Sequence, residues 1–301
     1  MLYFLQQVLN GLHSGALYAL LAFGYALTNG VVGRTNLAHG AVFAFAGQTL
    51  ILFAVFGWQV LWLTLPATLA LGAVAAFAYA ALTATVLSRG VFRPLKMRSP
   101  NAVVVATLGV SLVLMELGRM AAQTRDLWLP PMLAGPVVFA SIPGFKATLT
   151  AIQLINCSVA MLALAAATLF LARSNFGRSW RAVCDDTLAA ALCGTDVELV
   201  FHRAVLGGAL LAALAGVLAA LHFGNISFDT GLFFGLKVLF LTAVGGYREP
   251  ARAALGAACF GIAESLWSGY FPIEWRDAWM FLFLVMLLVL RPQASGQAKT
   301  I

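Results

Sequence analysis

The stretch "VVGRTNLAHGAVFAFAGQ", residues 31–48, decides how this chain is to be read. Before it, apolar residues run from Val8 to Leu27 with few breaks, and beyond it the chain is apolar again. Between the two runs sit Arg34, Asn36, His39 and Gln48. A helix needs roughly 20 apolar residues to cross a bilayer. The quoted stretch therefore reads as the turn between two membrane-crossing helices, with its polar residues placed where the chain reverses.

Working outward, apolar spans fall at about 4–30, 37–57, 60–88, 102–122, 149–172, 200–223, 232–246, 253–269 and 277–290. The seventh and the last are short, and 232–269 also reads as one broken hairpin. The expected fold is all-α, a polytopic integral membrane helical bundle of eight to nine transmembrane segments in one domain, 1–301. Composition agrees. Hydrophobic residues make up 62% of the chain and charged residues 10%, against about 25% charged in a soluble domain. Mean hydropathy is +0.93. The long runs suit helices rather than the ~10-residue alternating strands of a barrel. The first run is long enough to span, so it reads as a retained anchor rather than a cleaved signal.

Lysine and arginine set the orientation. Thirteen of the 18 basic residues fall in one set of loops, at Arg34, at 89–98, at 173–203, at Arg248 and Arg252, and at Arg291 and Lys299. The opposite loops hold Arg125, Lys146 and Arg276. Cytoplasmic loops carry such an excess. Nine alternating spans then put the N-terminus outside and the C-terminus in the cytoplasm. The net charge of +7 is explained by a cytoplasmic face meeting the anionic lipid bilayer, with no nucleic acid partner.

Two loops are long. Residues 123–148 carry four prolines and fall outside. Residues 173–199 fall inside and hold a helix-forming run, "WRAVCDDTLAAALC", with Gly194 as its stop. Cys157, Cys184, Cys193 and Cys259 show neither CxxC nor metal-ligand spacing. No phosphate loop GxxxxGK[ST], HExxH or GxSxG is present. An enzyme, a resident metal and a cofactor are not expected.

The inner loop also carries a resemblance. "FGRSWRAVCDDTLAAALCGTDVELV", followed by "LGGALLAALAGVLAAL", resembles the permeases of bacterial branched-chain amino acid ABC transporters. That family shows GRxxRAxxxxxxxAxxxGI at this place. Asn36, Leu37, Ala38, His39 and Gly40 match its N-[FL]-A-[HQ]-G pattern. "AVGGYREPARAALGAACFGIAESL" resembles its GG loop and small-residue helix, and "EWRDAWMFLFLVMLLVLRPQ" its ending. The chain departs from the pattern at Ala41 and at Tyr247 to Pro250. The length is similar to the shorter of two paired permeases. The resemblance implies an importer permease for branched-chain or related amino acids, in the bacterial cytoplasmic (inner) membrane. Its partners would be ATP-binding cassette subunits, a second permease subunit and an extracytoplasmic substrate-binding protein. Related systems take up urea and short amides.

The resemblance also makes 173–199 a coupling loop. Leu188, Ala189, Ala190 and Gly194 occupy the register of the EAAxxxG pattern by which ABC permeases dock their ATPases, with Leu in place of Glu. Arg178, Arg181, Ala189, Ala190 and Gly194 are the candidate coupling residues, and a solvated connector is the plain alternative. Asn36, His39, Gly40 and Glu264 are candidates for a translocation path or gate. For Asn36 and His39 the alternative is a cap and hinge, and for Glu264 a helix–helix hydrogen bond. Glu116 and Arg119 share a helix face and read as a local ion pair, while Lys237 reads as snorkelling outward. His13, His202 and His222 read as interfacial hydrogen-bonding groups rather than metal ligands. A self-contained secondary transporter or channel remains a different reading, with Glu116, Glu264 and His39 as its coupling groups.

Overall fold

The structure, a computed structural model, describes residues 2–95, 100–142 and 144–290. Lys96, Arg98, Arg291 and Lys299 of the charge count, and the chain end expected in the cytoplasm, lie outside the described residues.

The chain is a helical bundle. Its elements are α1 (Leu2–Val32), α2 (Ala38–Gln59), α3 (Leu65–Val86), a π-helical turn (Leu87–Phe92) leading into α4 (Arg93–Leu95), and α5 (Pro100–Ala121). A hairpin of β1 (Pro136–Ile142) and β2 (Phe145–Thr150) follows, then α6 (Ala151–Arg173), α7 (Asn175–Asp185), α8 (Thr187–Leu192) and α9 (Val197–Phe223). The chain closes with α10 (Thr230–Gly245), α11 (Pro250–Tyr270), a 3₁₀ turn (Ile273–Trp275) and α12 (Arg276–Leu290).

Six helices are long and apolar enough to cross a membrane, or up to seven if α10 and α11, bent by 120° across residues 246–249, form one span. Among the described residues the expected eight or nine spans are thus not reached by this measure. For α10 and α12 the physical reason is length. The sixteen residues of α10 and the fifteen of α12 reach only about 24 and 22 Å at 1.5 Å per residue, short of the ~30 Å core. The pair 230–270 takes the broken form that its glycine pair allows. Gly246 sits at φ +99°, which releases the chain from the helix, and Pro250 opens α11 with no N–H to satisfy.

The long helices α1, α2 and α9 are mostly buried and form the centre, while α3, α5 and α6 are mostly exposed around them. Exposed Val74, Leu82, Val105, Val113, Leu162 and Leu169 give these outer helices an apolar face. Lipid is as apolar as leucine, so close van der Waals contact and interhelical hydrogen bonds must hold the centre together. Glycine supplies the contact. An added methyl at Gly15 would lie 2.6 Å from Ala258 O on α11, and one at Gly24 2.8 Å from Gly208 O on α9. At Gly216 it would collide with Phe43 O on α2, and at Gly40 with the backbone of Gly231 and Gly235 on α10. Gly11, beside Gly15 on α1, and the pair Gly231 and Gly235 on α10 lie at such crossings too. Buried polar groups add the hydrogen bonds. Asn156 Nδ2 donates to Leu218 O at 2.8 Å and Ser265 Oγ to Gln7 O at 2.8 Å.

The bundle has two chemically distinct ends. One gathers the α1–α2 turn, α4, α7, α8 and the 246–249 turn, linked by Trp180–Leu27, Arg93–Glu198 and Tyr25–Tyr247 contacts. It carries Arg34, Arg89, Arg93, Arg173, Arg178, Arg181, Arg248 and Arg252. The other end gathers the start of α1, the 122–150 loop and the 224–229 and 271–276 segments. There Trp58, Trp62, Trp128, Trp275 and Trp279 are exposed, a distribution suited to a membrane–water interface.

The hairpin at this second end was not expected. Its strands pair antiparallel, with an irregularity between Val138 and Ala140. Gln6 of α1 anchors it at both hydrogen-bonding positions of Thr148, accepting at 2.7 Å and donating at 2.9 Å. Thr150 then starts α6 with a reciprocal capping box to Gln153.

Candidate functional site

The 33–40 turn is built from backbone needs. Gly33 leaves α1 at φ +64°, and its N–H closes the helix on Asn29 O at 2.7 Å. Asn36 then accepts from the Ala38 N–H at 3.0 Å, capping α2 from one position before Leu37. Its own N–H donates to the Tyr25 hydroxyl at 3.2 Å, and the Leu37 N–H donates to Thr107 Oγ1 of α5 at 3.2 Å. His39 is 3% exposed, its Nε2 lies 3.1 Å from Leu21 O, and its ring meets Tyr25 edge-on at 5.6 Å. Next to it, Gly40 lets α10 cross in near backbone contact. Asn36, Leu37, His39 and Gly40 therefore join α1, α2, α5 and α10 at one point.

Glu264 is elsewhere, near the opposite end of α11. It lies 2.9 Å from the ammonium of Lys237, which also lies 2.9 Å from Asp277 Oδ1. Arg276 approaches the same two carboxylates at 3.6 and 3.5 Å. Lys237 does not snorkel: it is 5% exposed. Two carboxylates on α11 and α12 hold its charge inside, which outweighs the reach of its stem toward water. Sequence reading missed this role because the partners are 27 and 40 residues away. The signal available was charge count, a lysine and a glutamate on consecutive apolar helices.

The 173–199 loop folds as two short helices. Ser174 caps α7 by accepting from Gly177 N–H at 3.0 Å. Asp186 caps α8 by accepting from Leu188 and Ala189 N–H at 2.8 and 3.0 Å. Gly194, at φ +83°, ends it. The loop is tied down by Trp180, whose indole N–H donates to Leu27 O at 2.9 Å from a buried site. Sequence reading passed over Trp180. Arg181 donates to Leu171 O at 2.9 Å, and Arg178 bonds Asn175. Ala190 is buried beneath α8, while Ala189 is exposed and Leu188 and Leu192 are 71% and 81% exposed. Leu188 and Leu192 thus give α8 an apolar outer face. Cys184, under the loop, has its thiol pushed up to about 12, mainly by burial.

Glu116 and Arg119 pair at 2.8 Å. His202 meets Ser88 at 2.8 Å, and His13 is buried with its ring 4.2 Å from that of His222. Among the described residues, no group of three or more His, Cys, Asp or Glu is placed to hold a metal. The four cysteines are free.

Taken together, the fold and loop define a polytopic helical membrane protein with a short apolar surface helix at its arginine-rich end. The chain matches, over residues 7–290, the family described as branched-chain amino acid transport system / permease component, and it belongs to that family. It is 32% identical over 295 residues to the high-affinity branched-chain amino acid transport system permease protein LivH of Escherichia coli, covering 97% of this chain and 94% of that one. LivH of Salmonella typhimurium is 31% identical over the same shares. BraD of Pseudomonas aeruginosa, a permease protein of the same kind of system, is 29% identical, covering 96% and 94%. Among solved structures, PsaBC from Streptococcus pneumoniae in complex with Fab aligns with a TM-score of 0.46 at 12% identity, covering 95% of this chain and 90% of that one.

Proposed function

We propose that this chain is a permease subunit of an ABC importer for branched-chain or related amino acids in the bacterial cytoplasmic membrane. The full-length family match carries the reading. Two ATP-binding cassette subunits dock on the arginine-rich end, a second permease completes the path, and a substrate-binding protein delivers solute at the tryptophan-rich end. The N-terminus then lies outside and the C-terminus in the cytoplasm, the arrangement the arginine asymmetry favours.

The coupling contact is α8. ATP-driven motion of the cassette pushes on Leu188, Ala189 and Leu192. Ala190 and Trp180 transmit it to α1 and its turn at residues 33–40. That turn, with His39 and Gly40 packed among four helices, is the joint about which the bundle changes between outward- and inward-facing states. No bond of the solute is made or broken. A self-contained secondary transporter draws no support from the site: Glu264 is neutralised by Lys237, Glu116 by Arg119, and His39 is held by a backbone carbonyl.

The test is purification of the chain from native membranes in mild detergent, with Leu188→Asp and Gly194→Arg as variants. A co-purifying ATP-binding subunit that both variants release supports the reading. A chain that purifies alone and takes up solute without ATP overturns it. Uptake of urea or a short amide in place of leucine changes the substrate and leaves the coupling.

A further inference from the structure

We infer that the cavity between α2, α5 and the 225–228 segment is a recognition vestibule for one zwitterionic amino acid with an aliphatic side chain. It measures about 220 Å³, the scale of a single small solute and below the ~300 Å³ at which drug-sized pockets begin. The inference rests on the importer reading and locates the solute within it.

The lining is divided by chemistry. Ile51, Leu52, Phe53 and Leu117 make an apolar wall. Arg125 and Asp126, both exposed, also line the cavity, and neither is ion-paired among the described residues. Their neighbours Glu116 and Arg119, in contrast, neutralise each other at 2.8 Å. An adjacent free cation and anion match a zwitterion, the guanidinium taking its carboxylate in a planar fork and the carboxylate its ammonium.

The mouth is held in a costly conformation. Gln123 and Thr124 are consecutive non-glycine residues at φ +53° and +60°. Three backbone bonds keep them there: Thr124 N–H to Arg119 O at 2.9 Å, Arg125 N–H to Ala122 O at 3.0 Å, and Leu129 N–H to Gly224 O at 2.9 Å. The first of these bonds belongs to the closing turn of α5, which leaves Arg125 and Asp126 exposed just beyond it in the lining of the cavity.

At the floor lies Gln48, the amide singled out in the opening stretch. Its Nε2 reaches Ile226 O only at 3.4 Å, and its Oε1 packs against Gly118, which has no side chain to block it. A second cavity of about 20 Å³ shares Phe45, Gln48 and Phe228 with the first and continues inward to Ser111. Gln48 thus lines both cavities and puts an amide in an otherwise apolar stretch between them.

The experiment is equilibrium binding of radiolabelled leucine to the purified transporter complex without its external binding protein. Saturable binding is expected, displaced by isoleucine and valine but neither by leucinamide nor by 4-methylpentanoate. Arg125→Gln, Asp126→Asn and Gln48→Leu are each expected to weaken it at least about tenfold, with the ATPase still co-purifying. Arg119→Gln, outside the cavity, leaves it within about twofold. Absence of saturable binding, equal affinity in the three variants, or equal displacement by leucinamide overturns the vestibule. Normal leucine uptake by cells deleted for the chain overturns the importer reading instead, so the two failures are told apart.

Discussion

Lys237 Nζ lies 2.9 Å from Glu264 Oε1, both side chains within a tenth of full burial, and this pair joins α10 to α11 well away from their bend at residues 246–249. Two charges removed from water are tolerated only together, because removing one leaves the other uncompensated. Asp277 brings the start of α12 to the same ammonium at 2.9 Å. Lys237→Met and Glu264→Leu are each expected to destabilise the solubilised protein, by about 3 kcal/mol or more for the lysine. Lys237→Met combined with Glu264→Leu recovers most of that loss. Thermal melting followed by size-exclusion chromatography reads both, and a double variant as unstable as the sum of the singles removes the pair from the account.

Gly40 faces a different constraint. A methyl there meets the backbone of Gly231 and Gly235, which has no side chain to swing aside. Gly40→Ala is expected to separate α2 from α10 and cost about 1–3 kcal/mol, as overpacking does. Gly109 is the matched control, since nothing lies within 4 Å of a methyl there. Comparable loss of assembled protein from Gly109→Ala counts against the crossing as the cause.

The bundle was legible in sequence because length and apolarity are local properties. The 31–48 turn, the broken 230–270 pair and the loop helix at 187–192 all follow from where glycine, asparagine and arginine interrupt apolar runs. What escaped was non-local. Lys237 alone on an apolar helix reads as snorkelling, and only its distant carboxylates make burial tolerable. The hairpin was hidden by the prolines around it, although Ala147 and Leu149 are buried on alternate residues of β2, a period-2 signal. Span 60–88 began too early because the helix waits until Leu65, after Trp62 turns the chain at φ +53°.

Trp180 decides whether α7 and α8 move with the bundle. Its indole fills a buried site against α1, with Gly30 beside it, and its N–H satisfies Leu27 O. Trp180→Ala is expected to cost about 3–5 kcal/mol of local packing and to free the loop from α1. Transport then falls while the cassette stays bound, because Leu188 and Leu192 remain on the surface. Trp180→Phe keeps the packing and loses one hydrogen bond, about 1 kcal/mol, so most transport returns. Loss of cassette binding in Trp180→Ala would instead make Trp180 part of the docking surface.

The two cysteines of the loop separate accessibility from chemistry. Cys193 is exposed, whereas Cys184 is buried with its thiol pushed up to about 12. The thiolate is the species that alkylates, so a raised value keeps Cys184 protonated and inert through neutral pH, with reactivity returning only as pH climbs toward that value. A membrane-impermeant maleimide at pH 7 is expected to modify Cys193 and spare Cys184. Inverted vesicles are labelled and right-side-out cells are not, since the arginine-rich end faces the cytoplasm in the proposed orientation. In the proposed function the cassette docks on α8 and covers the neighbouring leucines, so Cys193 labelling is expected to slow in the assembled complex and to recover when Leu188→Asp releases the ATPase. Labelling of Cys193 from outside intact cells would invert the orientation and move the coupling contact to the wrong side of the membrane for ATP.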